Sequence, residues 1–195
     1  MNTYPNRKQE AVEDIFFGQV VIIWARWFVI AAGIIYALWI STNTAQLSVA
    51  ILLLGAIVSI NFFVHGRYLM EKPINRSLLL GLSFIDTLMV SVIVFAGPGQ
   101  HGIDNYLFIF YYPLLLAFAF VFPQTLTAIY TVITLLAYLA VCVVATPQLI
   151  TAGPVLETLI MRLITMAAVG GLGTYYWRIQ RERWHALEET FQSAT

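Results

Sequence analysis

Besides Glu157, which stands near the end of its run, three charged residues lie deep inside long apolar stretches of this sequence, where a charge needs a physical explanation. They are Arg26, Asp86 and Arg162. A charged side chain at the centre of a membrane-spanning helix costs roughly 2.5–3.5 kcal/mol on insertion scales, so such residues are rare. Two kinds of chemistry fit them. In the first, these residues form a functional site that binds a ligand, relays protons or switches between two conformations. In the second, they form a structural pair that fixes the order of the helices.

Asp86 is the acid around which such an intramembrane cluster would form. It lies about ten residues from the predicted inner end of its helix, hence ~15 Å deep at 1.5 Å per residue. A carboxylate at that depth needs a cationic partner or stays protonated. Arg26 and Arg162 are both candidate partners, with Asn61 as a supporting polar group. The sequence leaves the choice between the two arginines open.

The stretch around Arg26 allows two placements of that arginine. Residues 16–40 read FFGQVVIIWARWFVIAAGIIYALWI, which is longer than the about 20 residues that a spanning helix needs. The sequence favours a span that begins near Trp27, with Arg26 at the headgroup level among interfacial tryptophans. Residues 1–26 would then form a cytoplasmic N-terminus and an amphipathic helix on the inner surface, whereas the alternative buries Arg26 against Asp86. The lipid face of that surface helix would comprise Phe16, Phe17, Val20, Val21 and Trp24, and its water face Glu10, Glu13 and Asp14.

The histidines and the cysteine are weaker candidates for a binding site. His101 and Asp104 share the outer loop GPGQHGIDN, but two metal ligands fall short of a defined site. His65 closes the second apolar run, where interfacial packing is expected and ligation of a porphyrin or chlorophyll is the alternative. Cys142, the single cysteine, stands in an apolar run and is expected to be a buried hydrophobe. The sequence has no nucleotide loop, nucleophile elbow or metal motif, so we predict neither an enzyme nor a metal site.

The composition indicates what kind of element must position these residues. Of 195 residues, 60% are hydrophobic and only 10% are charged, whereas soluble domains carry about a quarter charged residues. The formal net charge is zero, so charge gives no reason to expect nucleic acid as a partner. A chain this apolar turns its surface toward lipid, and we therefore predict an all-α integral membrane protein.

Six apolar runs are long enough to cross a membrane as helices. They lie within 16–40 and at about 46–65, 77–96, 105–122, 124–145 and 155–177. Their short connections predict antiparallel neighbours, hence a six-helix transmembrane bundle over residues 27–177. If both termini are cytoplasmic, every Lys and Arg outside the runs falls on the inner side, as the positive-inside rule requires. These cations are Arg7, Lys8, Arg67, Lys72, Arg76, Arg178, Arg181 and Arg183.

The last run and the residues after it carry two patterns that predict contacts with other helices. Small residues at helical spacing predict a closely packed face on span six, against the same chain or a partner. They are Ala167, Gly170, Gly171 and Thr174. Residues 178–195 predict a cytoplasmic helix with the start of a heptad seam; a helix lying on the inner leaflet is the alternative. The seam comprises Trp177, Gln180, Trp184, Leu187 and Phe191.

Several features of the chain recur together in one family. They are six spans with both ends inside, Arg26-Trp27 at the inner start of span one, a cationic loop between spans two and three, and a Gly-rich outer loop before an aromatic span, AGPGQHGIDNYLFIFYYPLLLAFAF. This organisation resembles the N-terminal membrane sensor region of bacterial histidine kinases and related cyclases. In that family the last span continues into a signalling helix and a dimerising catalytic domain. Gly-Pro-Gly stands where the family more often has a Gly-Gly pair followed by Ser-Pro, and no phosphoacceptor or ATP-binding region occurs within the 195 residues.

The residues and the resemblance together predict a non-enzymatic sensor module in the bacterial cytoplasmic membrane. One alternative is an accessory or structural subunit of a photosynthetic or respiratory complex, which would bring pigment or haem with it. A small transporter is a third reading, although it requires broken helices around a midplane site. No cofactor is predicted for the sensor. Its expected partners are membrane lipid and either other proteins or a second copy bound through span six and the C-terminal helix.

Overall fold

The computed structural model describes the backbone of residues 7–40, 44–70, 74–96, 101–146 and 153–193. Side chains are described for residues 18–39, 47, 48, 51–70, 74–95, 101–146, 153–176, 178 and 179. The acidic and apolar side chains predicted for the surface helix before residue 18 lie outside this set. So do the Gly-Pro-Gly of the outer loop and the tail side chains Trp177, Gln180, Trp184, Leu187 and Phe191.

The described part of the chain is all helical. Its α-helices are α1 (Arg7–Ile40), α2 (Thr44–Leu69), α3 (Arg76–Ala96), α4 (Tyr111–Val121), α5 (Gln124–Ala145) and α6 (Gly153–Ser193), and 3-10 helices at Gly102–Asp104 and Tyr106–Phe110 precede α4. Among the described residues, five α-helices are long and apolar enough to cross a membrane, namely all except α4. Large apolar side chains such as Trp39, Leu52, Leu136 and Leu172 are exposed on the outside of the bundle. These are the features of a multi-pass membrane protein.

The first and last helices are longer than the spans predicted for them. α1 is one helix of 34 residues, with no break at residue 26 between a surface helix and a span. Proline is absent between Arg7 and Ile40, so nothing in this stretch forces a break in the backbone hydrogen bonding. α6 likewise runs through the predicted boundary at 177 and continues to Ser193.

The fourth predicted span, 105–122, departs most from expectation because it is not one long α-helix. Tyr106–Phe110 is a 3-10 helix, and α4 begins only at Tyr111. Pro113 explains this start: its ring would clash with the carbonyl group four residues earlier, whereas proline is tolerated in the first turn of a helix. The prediction of six long spanning helices is therefore not confirmed, because α4 has only 11 residues.

The segment from Asn105 to Phe122 nevertheless runs antiparallel along the whole of α3. At one end the Asn105 side chain donates hydrogen bonds to the carbonyl oxygens of Ile93 and Val94, near the end of α3. At the other end the guanidinium group of Arg76, the first residue of α3, lies 5.9 Å from the centre of the Phe122 ring. The 3-10 helix and α4 together measure about 26 Å, at rises of about 2.0 and 1.5 Å per residue.

α4 is the central helix of the bundle. It contacts α1, α3, α5 and α6, whereas α2 packs mainly on α1. Tyr111, Leu115, Phe118 and Phe122 project from this segment and are almost fully buried. The ring of Phe118 stacks on that of Tyr130 of α5, with 3.8 Å between ring centres. A short, wholly apolar helix is therefore held by side chains from four neighbours rather than by lipid.

Candidate functional site

Arg26 and Asp86 form an ion pair between α1 and α3. Arg26 Nη2 lies 2.7 Å from Asp86 Oδ2, and Arg26 Nε donates a hydrogen bond of 2.8 Å to the same oxygen. Arg26 is only 2% exposed. The placement favoured by the sequence, with Arg26 among headgroups, is therefore wrong; the structure has the alternative. The physical reason is that α1 continues unbroken through residue 26. Arg26 is therefore part of a helix of the bundle, and its side chain turns inward toward Asp86.

A set of hydroxyl groups lies beside this pair, and it joins α3 to α5. Tyr130 of α5 donates its hydroxyl to the carbonyl oxygen of Ser83 at 3.1 Å and shares a short hydrogen bond with Thr87 Oγ1. Further along α3, Ser91 Oγ bonds the hydroxyl of Tyr111 at 2.7 Å. Ser83, Thr87 and Ser91 stand four residues apart and therefore lie on one face of α3. Asp86 projects next to that face, so the charge pair is continuous with a polar seam inside the bundle.

Asn61 contacts α1 but belongs to a different contact from the ion pair. It is fully buried, and its Nδ2 donates a long bond of 3.4 Å to the carbonyl oxygen of Ile23. Gln19, which is not among the predicted site residues, connects the same two helices. Its Nε2 donates to the carbonyl oxygen of Val64 at 3.0 Å, and its Oε1 accepts from the backbone N–H of Ile74 at 3.2 Å. This side chain ties α1 to α2 and to the residues just before α3.

Arg162 lies in a second cluster, beside the segment 101–110. Its Nη1 donates to the carbonyl oxygen of Ile103 at 2.6 Å and to the hydroxyl of Tyr138 at 3.1 Å. The guanidinium carbon stands 3.8 Å from the centre of the Phe108 ring, a cation–π contact. Arg162 thus attaches α6 to the segment between α3 and α4, and Asp86 has Arg26 rather than Arg162 as its partner.

The segment 101–105 docks onto the last turn of α3. The carbonyl groups of Ile93, Val94 and Phe95 are among the last four of this helix and have no partner within it. Asn105 donates to the first two, and His101 Nδ1 lies 3.1 Å from the third. Gly102 has a φ of +60°, and a Cβ there would lie 2.7 Å from the Cβ of Ala145. Only glycine allows this turn to pack so closely against α5.

We expect Asn105→Ala to destabilise the folded chain by about 1–3 kcal/mol, because it leaves buried carbonyl groups without donors. Asn105 is 1% exposed and also accepts a hydrogen bond from the backbone N–H of Leu107. Asp104→Ala is the matched control, since Asp104 is exposed in the same turn. Denaturant unfolding in a mild detergent measures both free energies of unfolding, and equal values would contradict the docking.

The remaining candidate residues do not come together in one site. His101 and Asp104 are both exposed, and no cluster of three or more His, Cys, Asp or Glu side chains occurs among the described residues. His65 is half-buried, and its Nδ1 lies 3.5 Å from the indole Nε1 of Trp27. If Nδ1 accepts that proton, Nε2 carries the ring hydrogen and has no lone pair for a pigment metal. Cys142 is fully buried, as expected.

The small residues of span six divide between two faces. Gly170 is buried, and a Cβ there would lie 2.7 Å from Thr131 Oγ1 of α5. At Gly173, which is not among the predicted packing residues, a Cβ would meet that of Ala119 of α4 at 2.9 Å. Ala167 and Gly171 lie on the exposed side of α6. Thr174 is half-buried and donates its hydroxyl to the carbonyl oxygen of Gly170.

Part of this site is predictable from the sequence. The spacing of Ser83, Thr87 and Ser91 is a usable signal, because polar residues four apart in an apolar helix indicate a polar face. Gln19 and Asn105 stand alone among apolar or loop residues, and no spacing marks them.

Comparison with protein-family models, with curated proteins and with solved structures finds no match for this chain.

Proposed function

We propose that the chain is a non-enzymatic membrane sensor module, which passes the state of its segment 101–110 to its C-terminal helix. The observation that carries this proposal is the bond from Arg162 of α6 to the carbonyl oxygen of Ile103. Through it, a displacement of the docked segment acts directly on α6. The cation–π contact with Phe108 adds a second attachment between the same two elements.

The length of α6 suits it to transmit such a displacement over a long distance. It is a single helix of 41 residues, about 61 Å at 1.5 Å per residue, or twice the thickness of a bilayer core. At Gly170 and Gly173 the contacts of α6 with Thr131 of α5 and Ala119 of α4 are close and involve no bulky side chain of α6. Smooth contacts of this kind favour the small helix shifts of about 1–2 Å that switching proteins use.

The proposed topology has six crossings, with both termini in the cytoplasm. Its support is the course of the segment 105–122, which follows α3 from its last turn back to Arg76. Six crossings also bring every cation outside the spans to one side, as the positive-inside rule requires. In this topology the segment 101–110 faces the outside and the end of α6 lies in the cytoplasm. The resemblance to kinase sensor regions adds the bacterial cytoplasmic membrane as the location.

The proposed partners are membrane lipid and either a second copy or another protein, bound through α6. Ala167 and Gly171 support this choice, because both are small and exposed and another helix can approach α6 closely there. We call these two positions the exposed strip of α6. The sensor itself is proposed to need no cofactor. The accessory-subunit reading would instead place this strip against fixed companions in a pigment or haem complex.

Purification from the native membrane in a mild detergent tests the proposed function. We would record the mass, the companion proteins and the visible spectrum of the same sample. The sensor proposal predicts a colourless monomer, dimer or small complex. A large coloured complex of fixed stoichiometry would contradict it and would establish the accessory-subunit reading.

A further inference from the structure

The ion pair between Arg26 and Asp86 leaves hydrogen-bonding capacity unused on both sides. Arg26 Nε and Nη2 both approach the same oxygen, Asp86 Oδ2, so that Oδ1 is left for another donor. Arg26 Nη1 and Nη2 are both buried without a hydrogen-bond partner among the described residues, but Nη2 is in ion-pair contact with Asp86 Oδ2, whereas Nη1 has no such contact. A buried donor on a charged group that finds no acceptor is strongly unfavourable and needs an explanation.

A small cavity adjoins the pair at this point. Arg26, Asp86, Ser83 and Tyr130 supply its polar lining, and Ala25 of α1 is among its apolar lining. Its volume of about 10 Å³ is just enough to hold one water molecule. The cavity thus combines the size of one water with several polar groups, whereas apolar cavities stay dry.

We propose that this cavity is a binding site for one water molecule. The water would accept a hydrogen bond from Arg26 Nη1, donate to Asp86 Oδ1, and use its second hydrogen for the hydroxyl oxygen of Ser83 or Tyr130. Three bonds are the usual number for a buried water. The charges of the pair also favour water. Arg26 repels a cation and Asp86 repels an anion, so a small neutral molecule that both donates and accepts hydrogen bonds fits best.

The bound water extends the contact between α1 and α3 to a third helix. Tyr130 already connects α5 to α3 through Ser83 and Thr87. A water between Arg26 and this group makes one hydrogen-bonded unit of α1, α3 and α5. The inference is independent of the proposed function, because it concerns only the satisfaction of buried polar groups.

Radiolytic labelling of the chain in lipid nanodiscs tests the site directly, because hydroxyl radicals formed from bound water modify the side chains next to it. Tyr130 is the reporter and Tyr111 the matched control, since each is at most 1% exposed and hydrogen-bonded to a hydroxyl group of α3. We expect modification of Tyr130 at least several-fold above that of Tyr111. Equal modification of the two, or modification of neither, would overturn the proposal.

A cavity-filling variant tests the same site through stability. Ala25→Val places two methyl groups in the cavity, so it displaces the water and leaves Arg26 Nη1 without an acceptor. We expect the equilibrium constant for unfolding to rise about 5- to 30-fold. The matched control is Ala31→Val, at an exposed position of the same helix, which should change little.

The same substitution in an Arg26→Met/Asp86→Leu background separates hydration from overpacking. Without the ion pair, the water has no role, and Ala25→Val should then be neutral or stabilising. An unfolding constant that rises equally in both backgrounds would indicate overpacking and overturn the proposal. A neutral or stabilising effect with the pair intact would overturn it as well, because it would show a dry cavity.

Discussion

Replacing Asp86 with alanine is expected to lower the free energy of unfolding by about 3–5 kcal/mol, because it leaves a buried arginine without a counter-charge. Arg26 is 2% exposed, so its guanidinium group cannot reach the bulk solvent without a rearrangement of α1. Both of its contacts with α3 go to this one carboxylate. Denaturant titration in mixed micelles, followed by circular dichroism, measures the loss.

Two further variants show whether charge is the cause of that loss. Arg26→Met/Asp86→Leu removes both charges and should be about as stable as the unmodified chain or more stable, as apolar replacements of buried pairs often are. Glu157→Ala removes an exposed acid and should have little effect. If Asp86→Ala cost less than about 1 kcal/mol, against the several kcal/mol typical of a broken buried pair, the pair would not be buried as described.

Replacing Gly170 with leucine is expected to destabilise the bundle by about 1–3 kcal/mol, because the new side chain has no space between α6 and α5. A Cβ at this position would already lie 2.7 Å from Thr131 Oγ1 and 2.9 Å from Thr131 Cγ2. The side chain of Thr131 is itself held by a hydrogen bond to the carbonyl oxygen of Thr127. α6 would have to move outward, and the unfolding midpoint would fall.

The neighbouring glycine provides the matched control. Among the described residues, no atom outside the helix's own backbone lies within 4 Å of the position that a Cβ of residue 171 would occupy. Gly171→Leu should therefore be neutral or stabilising, through its better helix propensity. The same variant reports on the exposed strip: if a second copy binds there, Gly171→Leu shifts the dimer to monomer while the unfolding of the monomer is unchanged. Equal destabilisation by the two leucines would contradict the orientation of α6.

Hydropathy is sufficient to predict the five long helices, because each contains a long apolar run. It is not sufficient for the fourth run, where Pro113 delays the start of the α-helix to Tyr111 and the preceding residues form a 3-10 helix. The run is apolar almost throughout, so its composition does not reveal the change of helix type. The proline does, through the carbonyl clash that it would cause four residues earlier.

The partner of Asp86 was not predictable from sequence alone. Depth in the membrane made both Arg26 and Arg162 candidates, but the choice depends on which helices adjoin and how each is rotated. The same limit applies to α6, where spacing identified small residues but not the face on which they lie. Gly170 is buried and Gly171 is exposed, although the two are neighbours in sequence. Such rotations are set by packing, which one sequence does not specify.

The most direct test of the central claim is a distance measurement between two spin labels. One stands next to the end of α2 that the proposed topology places inside, and the other on the part of α6 near the inner side of the membrane. Met70→Cys and Tyr175→Cys put the labels at exposed positions, in a Cys142→Ala background that removes the single cysteine. If Arg162 transmits the state of the segment 101–110, Arg162→Met should shift or broaden the distance distribution by about 1–2 Å or more. Glu157→Met, at an exposed position of the same helix, should leave it unchanged. An unchanged distribution in a folded Arg162→Met protein would contradict the claim.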